Sequence, residues 1–256
     1  MTEPLLEVER LAKAYQGVQA VRGIGFRLMP GEILAMIGPN GAGKSTCFNM
    51  LSGQIRPSAG QVRLLGRDIT GARPAAIWRL GAGRTFQVTA TLGSMTVREN
   101  VQMALLSHAG RLWRPFGRAD AFGRAAADAA LALVGLDEVD RPCAELAYGE
   151  LKRLELAVAL AHAPRLLLMD EPTAGMAPAE RIALMATTAA IARERRIGVL
   201  FTEHDMDMVF AHADRVMVLE RGRIVADGAP DAVRADPHVR AIYLGTGLAP
   251  SAAAAP

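Results

Sequence analysis

The run Gly38-Pro39-Asn40-Gly41-Ala42-Gly43-Lys44-Ser45-Thr46 matches G-x-x-x-x-G-K-[ST]. Glycines at that spacing let a loop turn its backbone N–H groups inward around phosphate oxygens, and a helix N-terminus behind the loop adds positive potential. In such a loop Lys44 reaches the β- and γ-phosphates and the Ser45 hydroxyl binds Mg²⁺. A second element must then hold the metal and activate water. The apolar run Leu166-Leu167-Leu168-Met169 ends in two acids. Asp170 is placed to meet Mg²⁺ directly or through water, and Glu171 is the candidate general base. A second apolar run ends in Thr202-Glu203-His204-Asp205. By position alone, the His204 imidazole is equally a contact to the γ-phosphate or a structural side chain.

These groups need a scaffold, and the chain alternates in a way that supplies one. Within residues 3–37, LLEVERL, IGFRL and EILAMI read as short strands separated by turns such as Met29-Pro30-Gly31. Cys47 to Gly53 reads as the helix behind the phosphate loop. Residues 61–69, QVRLLGRDI, alternate as one exposed edge strand, and a short helix follows Pro74. Residues 97–135 are rich in Ala, Arg and Leu and read as helical, opened by a Thr96/Glu99 capping box. Gly110, Pro115 and Gly117 break that stretch before a second helix near 119–134. A further helix runs from 146 with Leu151, Leu154, Val158 and Ala161 among its apolar residues. Residues 166–172 and 198–204 read as buried parallel strands. Between them lies a helix over 178–195 that starts at Pro178 and carries Ile182, Met185, Ala189 and Ala192 on one face. Strands over 214–219 and 222–228 close the fold. The expectation is one domain over 1–245, with a helical insert over about 88–163 and a low-complexity, frayed tail over 246–256.

Composition excludes several classes. At 256 residues, 51% hydrophobic and 21% charged, the chain is a folded globular one. Cys47 and Cys143 are its two cysteines, too far apart for a disulfide framework or a C-x-x-C metal pattern, and both read as buried thiols. No apolar run approaches about 18 residues, so no membrane span is expected. The early acids of the N-terminus do not fit a signal peptide. Net charge is +3 without a long Lys/Arg run, so nucleic acid is not indicated as a partner. His108, His162, His212 and His238 lack metal-ligand spacing. Arg111, Arg114, Arg118 and Arg124 read either as a solvated basic face or as a headgroup contact.

The order of phosphate loop, RTFQ (84–87), LAYGE (146–150), LLLMDE and TEHD resembles the ATP-binding subunit of ABC transporters over nearly the whole chain. The resemblance implies an α/β fold: a P-loop NTPase (ABC-type ATPase) core with an antiparallel β subdomain and an inserted helical subdomain. It implies ATP and Mg²⁺ as cofactors. Tyr15 would stack on adenine, though packing within the β subdomain is its other reading. Gln87 would contact Mg²⁺ and the attacking water, Glu171 would be the catalytic base, and His204 the γ-phosphate sensor. Leu146, Ala147, Tyr148, Gly149 and Glu150 would act in trans, capping ATP held by a second ATPase subunit in a head-to-tail dimer.

Two residues depart from that pattern. The family signature usually reads L-S-G-G-Q, and Ala147 lacks the hydroxyl that would bond the partner's γ-phosphate, a loss of about 0.5–1.5 kcal/mol. Ala177 stands where the family usually has Asp. GRTFQ, LAYGE, TEHDMD and the closing IYLGTG further resemble the ATPases of branched-chain amino-acid importers. That narrower resemblance implies transmembrane permease subunits, a second ATPase subunit that is a paralogue or another copy of this chain and, indirectly, an extracytoplasmic solute-binding protein as partners, with the chain peripheral on the cytoplasmic face of the inner membrane. Relatives in this group also carry urea, short amides or aromatic acids. Thr91–Val101, with Leu92, Met95 and Val97, is the expected surface for the permease. An exporter ATPase, a ribosome- or DNA-acting ATPase and a non-hydrolysing regulator are the competing readings. One cassette without sustained heptads argues against the second, and the presence of Lys44, Ser45, Asp170, Glu171 and His204 against the third.

Overall fold

The computed structural model describes residues 3–85, 91–111 and 122–243. Two sheets organise it. Strands β1 (Leu6–Tyr15), β2 (Val18–Leu28), β4 (Ala59–Leu64) and β5 (Arg67–Asp68) form an antiparallel sheet in the order β2-β1-β4-β5. Strands β3 (Ile33–Ile37), β6 (Ala82–Thr85), β7 (Leu166–Asp170), β8 (Gly198–Thr202), β9 (Arg215–Glu220) and β10 (Arg223–Gly228) form the second sheet, in the order β10-β9-β3-β8-β7-β6. Its pairs from β9 to β6 are parallel, and only the β9–β10 hairpin is antiparallel.

Side chains alternate across the parallel sheet with the strand period of two, and both faces are apolar. Ile33, Ala35, Ile37, Leu167, Met169, Val199, Phe201, Val216 and Val218 point to one core. Leu34, Met36, Leu166, Leu168, Leu200, Met217 and Leu219 point to the other. The first core is covered by α3 (Val97–His108), α4 (Arg124–Leu133), α5 (Tyr148–Leu160), α6 (Pro178–Arg195) and the C-terminal α7 (Met206–His212), α8 (Pro230–Ala235) and α9 (Pro237–Tyr243). The second is covered by the antiparallel sheet with α1 (Lys44–Leu51) and α2 (Pro74–Arg79), whose Phe48, Leu51 and Ile77 are buried in it.

Four expectations need correction. Residues 61–69 are not one strand: Leu65 (φ 52°) and Gly66 (φ 73°) turn the chain back, so β4 and β5 make a hairpin at the sheet edge. The strands over 214–228 do not close the fold, because α8 and α9 follow, each with proline at its first position, where a missing N–H costs nothing. Ile182 is 56% exposed; the buried stripe of α6 runs instead through Leu184, Met185, Thr188, Ala189, Ile191 and Ala192. Of the surface expected at 91–101, Leu92 is exposed, but Val97 and Val101 are core residues. The start of α3 is pinned against the chain at 139–141 through Val97 N–H to Arg141 O (3.0 Å) and Arg98 N–H to Val139 O (2.8 Å). Both cysteines are buried free thiols, and burial pushes that of Cys47 up to about 12. No described helix is long and apolar enough to cross a membrane.

Candidate functional site

Strands β3, β8 and β7 are neighbours and parallel, so their carboxyl ends lie side by side on one edge of the sheet. The phosphate loop leaves β3, Asp170 and Glu171 leave β7, and Thr202 to His204 leave β8. This topology brings together residues that stand far apart in sequence.

The loop has the shape its glycines permit. Gly38 has φ +153°, and a Cβ there would lie 2.1 Å from Leu219 O; Gly43 has φ +107°, with Ala20 O 2.6 Å from its would-be Cβ. Gly38 and Ala42 are buried, whereas Pro39, Asn40, Gly41 and Ser45 face solvent and Gly43 and Thr46 are half-buried. The hairpin turn after β9 braces the loop, with Gly222 N–H donating to Ala42 O at 2.9 Å. Lys44 opens α1 and is 7% exposed. Its ammonium donates to Gly38 O (2.6 Å) and Pro39 O (3.2 Å). Burial lowers its pKa, and the nearby carboxylates of Glu171 and Asp170 act against that.

Asp170 is oriented from both sides. Its Oδ1 accepts from the Thr202 hydroxyl at 2.8 Å, and its Oδ2 lies 3.9 Å from Arg84 Nη2. Arg84 is itself held by Asn49 Oδ1 (3.0 Å) and by the Ser52 hydroxyl, and its burial lowers its pKa. Glu171 adopts a left-handed φ of 49°, uncommon outside glycine. Its N–H donates to Thr202 O (3.2 Å) and Thr202 Oγ1 (3.0 Å). Its Oε1 lies 2.8 Å from His204 Nε2. The base candidate and the histidine thus meet as one pair.

A hard, oxygen-only donor set fits Mg²⁺. The hydroxyl of Ser45 at the start of α1 and the carboxylate of Asp170 are of that kind, and no cluster of three or more His, Cys, Asp or Glu offers a softer site among the described residues. Gln87 lies outside the described residues. Tyr15 ends β1, is 45% exposed, and carries the Lys13 ammonium 5.1 Å from its ring centroid.

The LAYGE turn makes its contacts elsewhere, and none of its hydrogen bonds among the described residues reaches the phosphate loop. Leu146 is buried, and Ala147 caps α5 with half a capping box: Glu150 Oε2 accepts from Ala147 N–H at 2.9 Å, but alanine returns nothing. Glu150 is also paired with Arg141 (3.1 Å), and the Ala147 N–H and this guanidinium both hold its carboxyl below the usual range. Gly149 packs against Glu180; a Cβ there would lie 2.3 Å from Glu180 Oε1. The Tyr148 hydroxyl donates to Ala174 O at 3.0 Å. Three polar residues escaped the sequence reading: Arg84, Thr202 and the buried Glu203. All three stand inside the quoted motifs RTFQ and TEHD. For Glu203 the motif gives the position but not the role, because its partner Thr173 lies thirty residues away.

Residues 21–174 match the ABC transporter family model. Residues 223–249 match that of the branched-chain amino acid ATP-binding cassette transporter. The chain is 38% identical over 253 residues to the high-affinity branched-chain amino acid transport ATP-binding protein BraF of Pseudomonas aeruginosa, covering 96% of this chain and 99% of that protein. It is 36% identical to the protein LivG of Escherichia coli, which bears the same description, at the same coverage. Among solved structures, the ADP conformation of an ATP-binding cassette of an ABC transporter superposes with a TM-score of 0.85 at 31% identity, covering 95% of this chain and all of the other. A nucleotide-free cassette gives 0.83 at 30% identity, covering 94% and 99%. The chain belongs to the ATP-binding subunits of the ABC transporter family, within their branched-chain amino acid cassette group.

Proposed function

We propose that this ATPase powers the import of branched-chain or other hydrophobic amino acids, with hydrolysis carried by the residues at the ends of β3, β7 and β8. The observation that carries the site assignment is the convergence of Lys44, Asp170 and the Glu171–His204 pair on adjacent strand ends. The phosphate loop binds the triphosphate through its N–H groups, and Lys44 exchanges the carbonyls of Gly38 and Pro39 for phosphate oxygens. Ser45 and Asp170, with Gln87, would hold Mg²⁺, which when bound would supply charge neutralisation to the phosphoryl oxygens. Glu171 takes the proton of the attacking water, and His204 holds the carboxylate in place through Oε1 and approaches the γ-phosphate. Tyr15 offers a ring face to adenine. The LAYGE turn, exposed at Tyr148, caps the nucleotide of a second ATPase subunit, a paralogue or another copy.

The cargo reading rests on the relatives' names and on the match over 223–249. It brings with it permease subunits, a solute-binding protein outside the membrane, and a place on the cytoplasmic face. The test is uptake of labelled leucine, isoleucine, valine, urea and an aromatic acid in the source organism, comparing wild type with Glu171→Gln. Loss of leucine, isoleucine and valine uptake is the expected result. Unchanged uptake across the panel, with the variant still at the membrane, overturns the import reading.

A further inference from the structure

The LAYGE turn and the Glu171–His204 pair are joined within one chain by an unbroken set of contacts. Tyr148 donates its hydroxyl to Ala174 O at 3.0 Å. Its ring lies flush on Gly175, whose φ is +79° and where a Cβ would sit 3.3–3.5 Å from Tyr148 Cε1, Oη and Cζ. The Lys152 ammonium lies 5.6 Å from the ring centroid and is bound to Glu155 at 3.0 Å, so the tyrosine stands on a buried ion pair. The loop that Tyr148 touches is short and self-bonded: Ala174 N–H donates to Glu171 O, and Met176 N–H to Thr173 O, both at 3.2 Å. Its other anchor is Glu203, 5% exposed. Glu203 Oε1 accepts from Thr173 N–H (3.0 Å) and from the Thr173 hydroxyl (2.5 Å), and its Oε2 from His204 N–H (3.2 Å). His204 then reaches Glu171.

Among the described residues the Glu203 carboxylate accepts three hydrogen bonds, all from this loop or from the histidine. A buried acid so employed fixes the loop's height above the sheet and the direction of His204 together. Tyr148 fixes the loop's far side to the first turn of α5. Movement of α5 therefore displaces residues 173–175, and their bonds pass the displacement to His204 and to the backbone of Glu171.

We propose that Tyr148 and Glu203 are positioning residues, the two ends of an intrachain relay that ties the α5 turn to the alignment of the Glu171–His204 pair. The relay rests on the reading of Glu171 as base for its effect on rate, but not for its existence. Neither residue touches the phosphate loop of its own chain, and Tyr148→Phe keeps the ring that the turn presents to a second subunit while removing only the hydroxyl bound to Ala174 O, so nucleotide affinity is expected to be spared.

The test uses the full-length chain and the variants Tyr148→Phe, which keeps the ring, and Glu203→Gln, which keeps the shape. Amide hydrogen exchange is read without nucleotide, the dissociation constant of a non-hydrolysable ATP analogue is measured, and kcat and KM are taken separately. Tyr148→Phe is expected to speed exchange at Ala174, Gly175 and, beyond its own contacts, at Thr173 and His204. It is also expected to lower kcat about 2- to 10-fold, the effect of one neutral hydrogen bond, with KM and analogue affinity within twofold. Glu203→Gln is expected to loosen the same amides, with the double variant less than additive. Unchanged exchange at Thr173 and His204 in Tyr148→Phe overturns the relay, as does a fall in kcat matched by an equal loss of analogue affinity. If Glu171→Gln hydrolyses ATP at the wild-type rate, the base assignment fails, and the exchange data still decide the relay.

Discussion

Lys44, assigned above to the triphosphate, is held within its own loop. Its ammonium is nearly fully buried yet spends two donors on carbonyls of its own loop. Those bonds offset desolvation and hold the side chain over the loop, in reach of a phosphate. Lys44→Ala removes a charge-assisted contact, and ATP affinity is expected to fall about 10- to 100-fold in equilibrium binding, with the circular dichroism spectrum unchanged. Gly38 makes a different demand. It combines a φ that L side chains rarely adopt with a backbone oxygen 2.1 Å from the position of a Cβ. Gly38→Ala must therefore move β9 away from the loop, and a loss of about 2 kcal/mol or more is expected in urea unfolding. An equal midpoint for wild type and variant would show that the loop relaxes without the strand.

At the scale of elements, helix caps separate what can be added from what can only be lost. Thr96 and Glu99 close a complete capping box at α3, with bonds of 3.2 and 2.8 Å. At α5 and α6 the glutamates are present, but Ala147 and Ala177 occupy the cap and return no bond. Ala147→Ser and Ala177→Asp are each expected to stabilise by about 0.5–1 kcal/mol, and Thr96→Ala to cost about 1 kcal/mol. In calorimetry this is a rise or fall of a few degrees in Tm. The same local chemistry explains which elements could be read beforehand. Pro178 at the first position and Glu180 at the third announce α6, and its bounds of 178–195 agree with the reading. The phosphate loop was legible because contiguous residues make it. The β4–β5 hairpin was not, because Leu65 adopts a positive φ that its residue type does not advertise. The role of Glu203 is hidden for the opposite reason: it stands in TEHD, but only the pairing of β7 with β8 brings Thr173 within its reach. Ile182 was misplaced because a three-residue spacing fits several stripes on a long helix, and the sheet below chooses among them.

The whole molecule binds its layers by contacts that no single element contains. Trp78 of α2, His108 at the end of α3 and His162 beyond α5 meet with ring centroids 5.0 Å apart. Burial, and secondarily His108, push the pKa of His162 down from 6.5 to about 4, against a backbone contact at Ala82. A histidine held neutral this way contributes its full stability above pH 6.5. Between there and about pH 4 the unfolded chain takes up a proton that the folded one refuses, so stability falls with pH. Allowing for the part of the ring that solvent reaches, the loss is on the order of 2–3 kcal/mol. Urea midpoints at pH 7.5 and pH 5 are expected to differ more for wild type than for His162→Phe. The chain is made in an order that separates the parts of this site. Strand β3, which carries the phosphate loop, is flanked by β8 and β9, and the loop rests on Leu219 and Gly222. Its walls are thus translated more than 150 residues after its floor. A nascent chain with residues up to 195 outside the ribosome holds the whole glycine-rich motif but none of those walls. Protection by ATP against proteolysis is expected only when the chain is stalled with residue 222 already emerged. During synthesis the cell's nucleotide therefore meets a chain unable to retain it until nearly all of the domain has appeared.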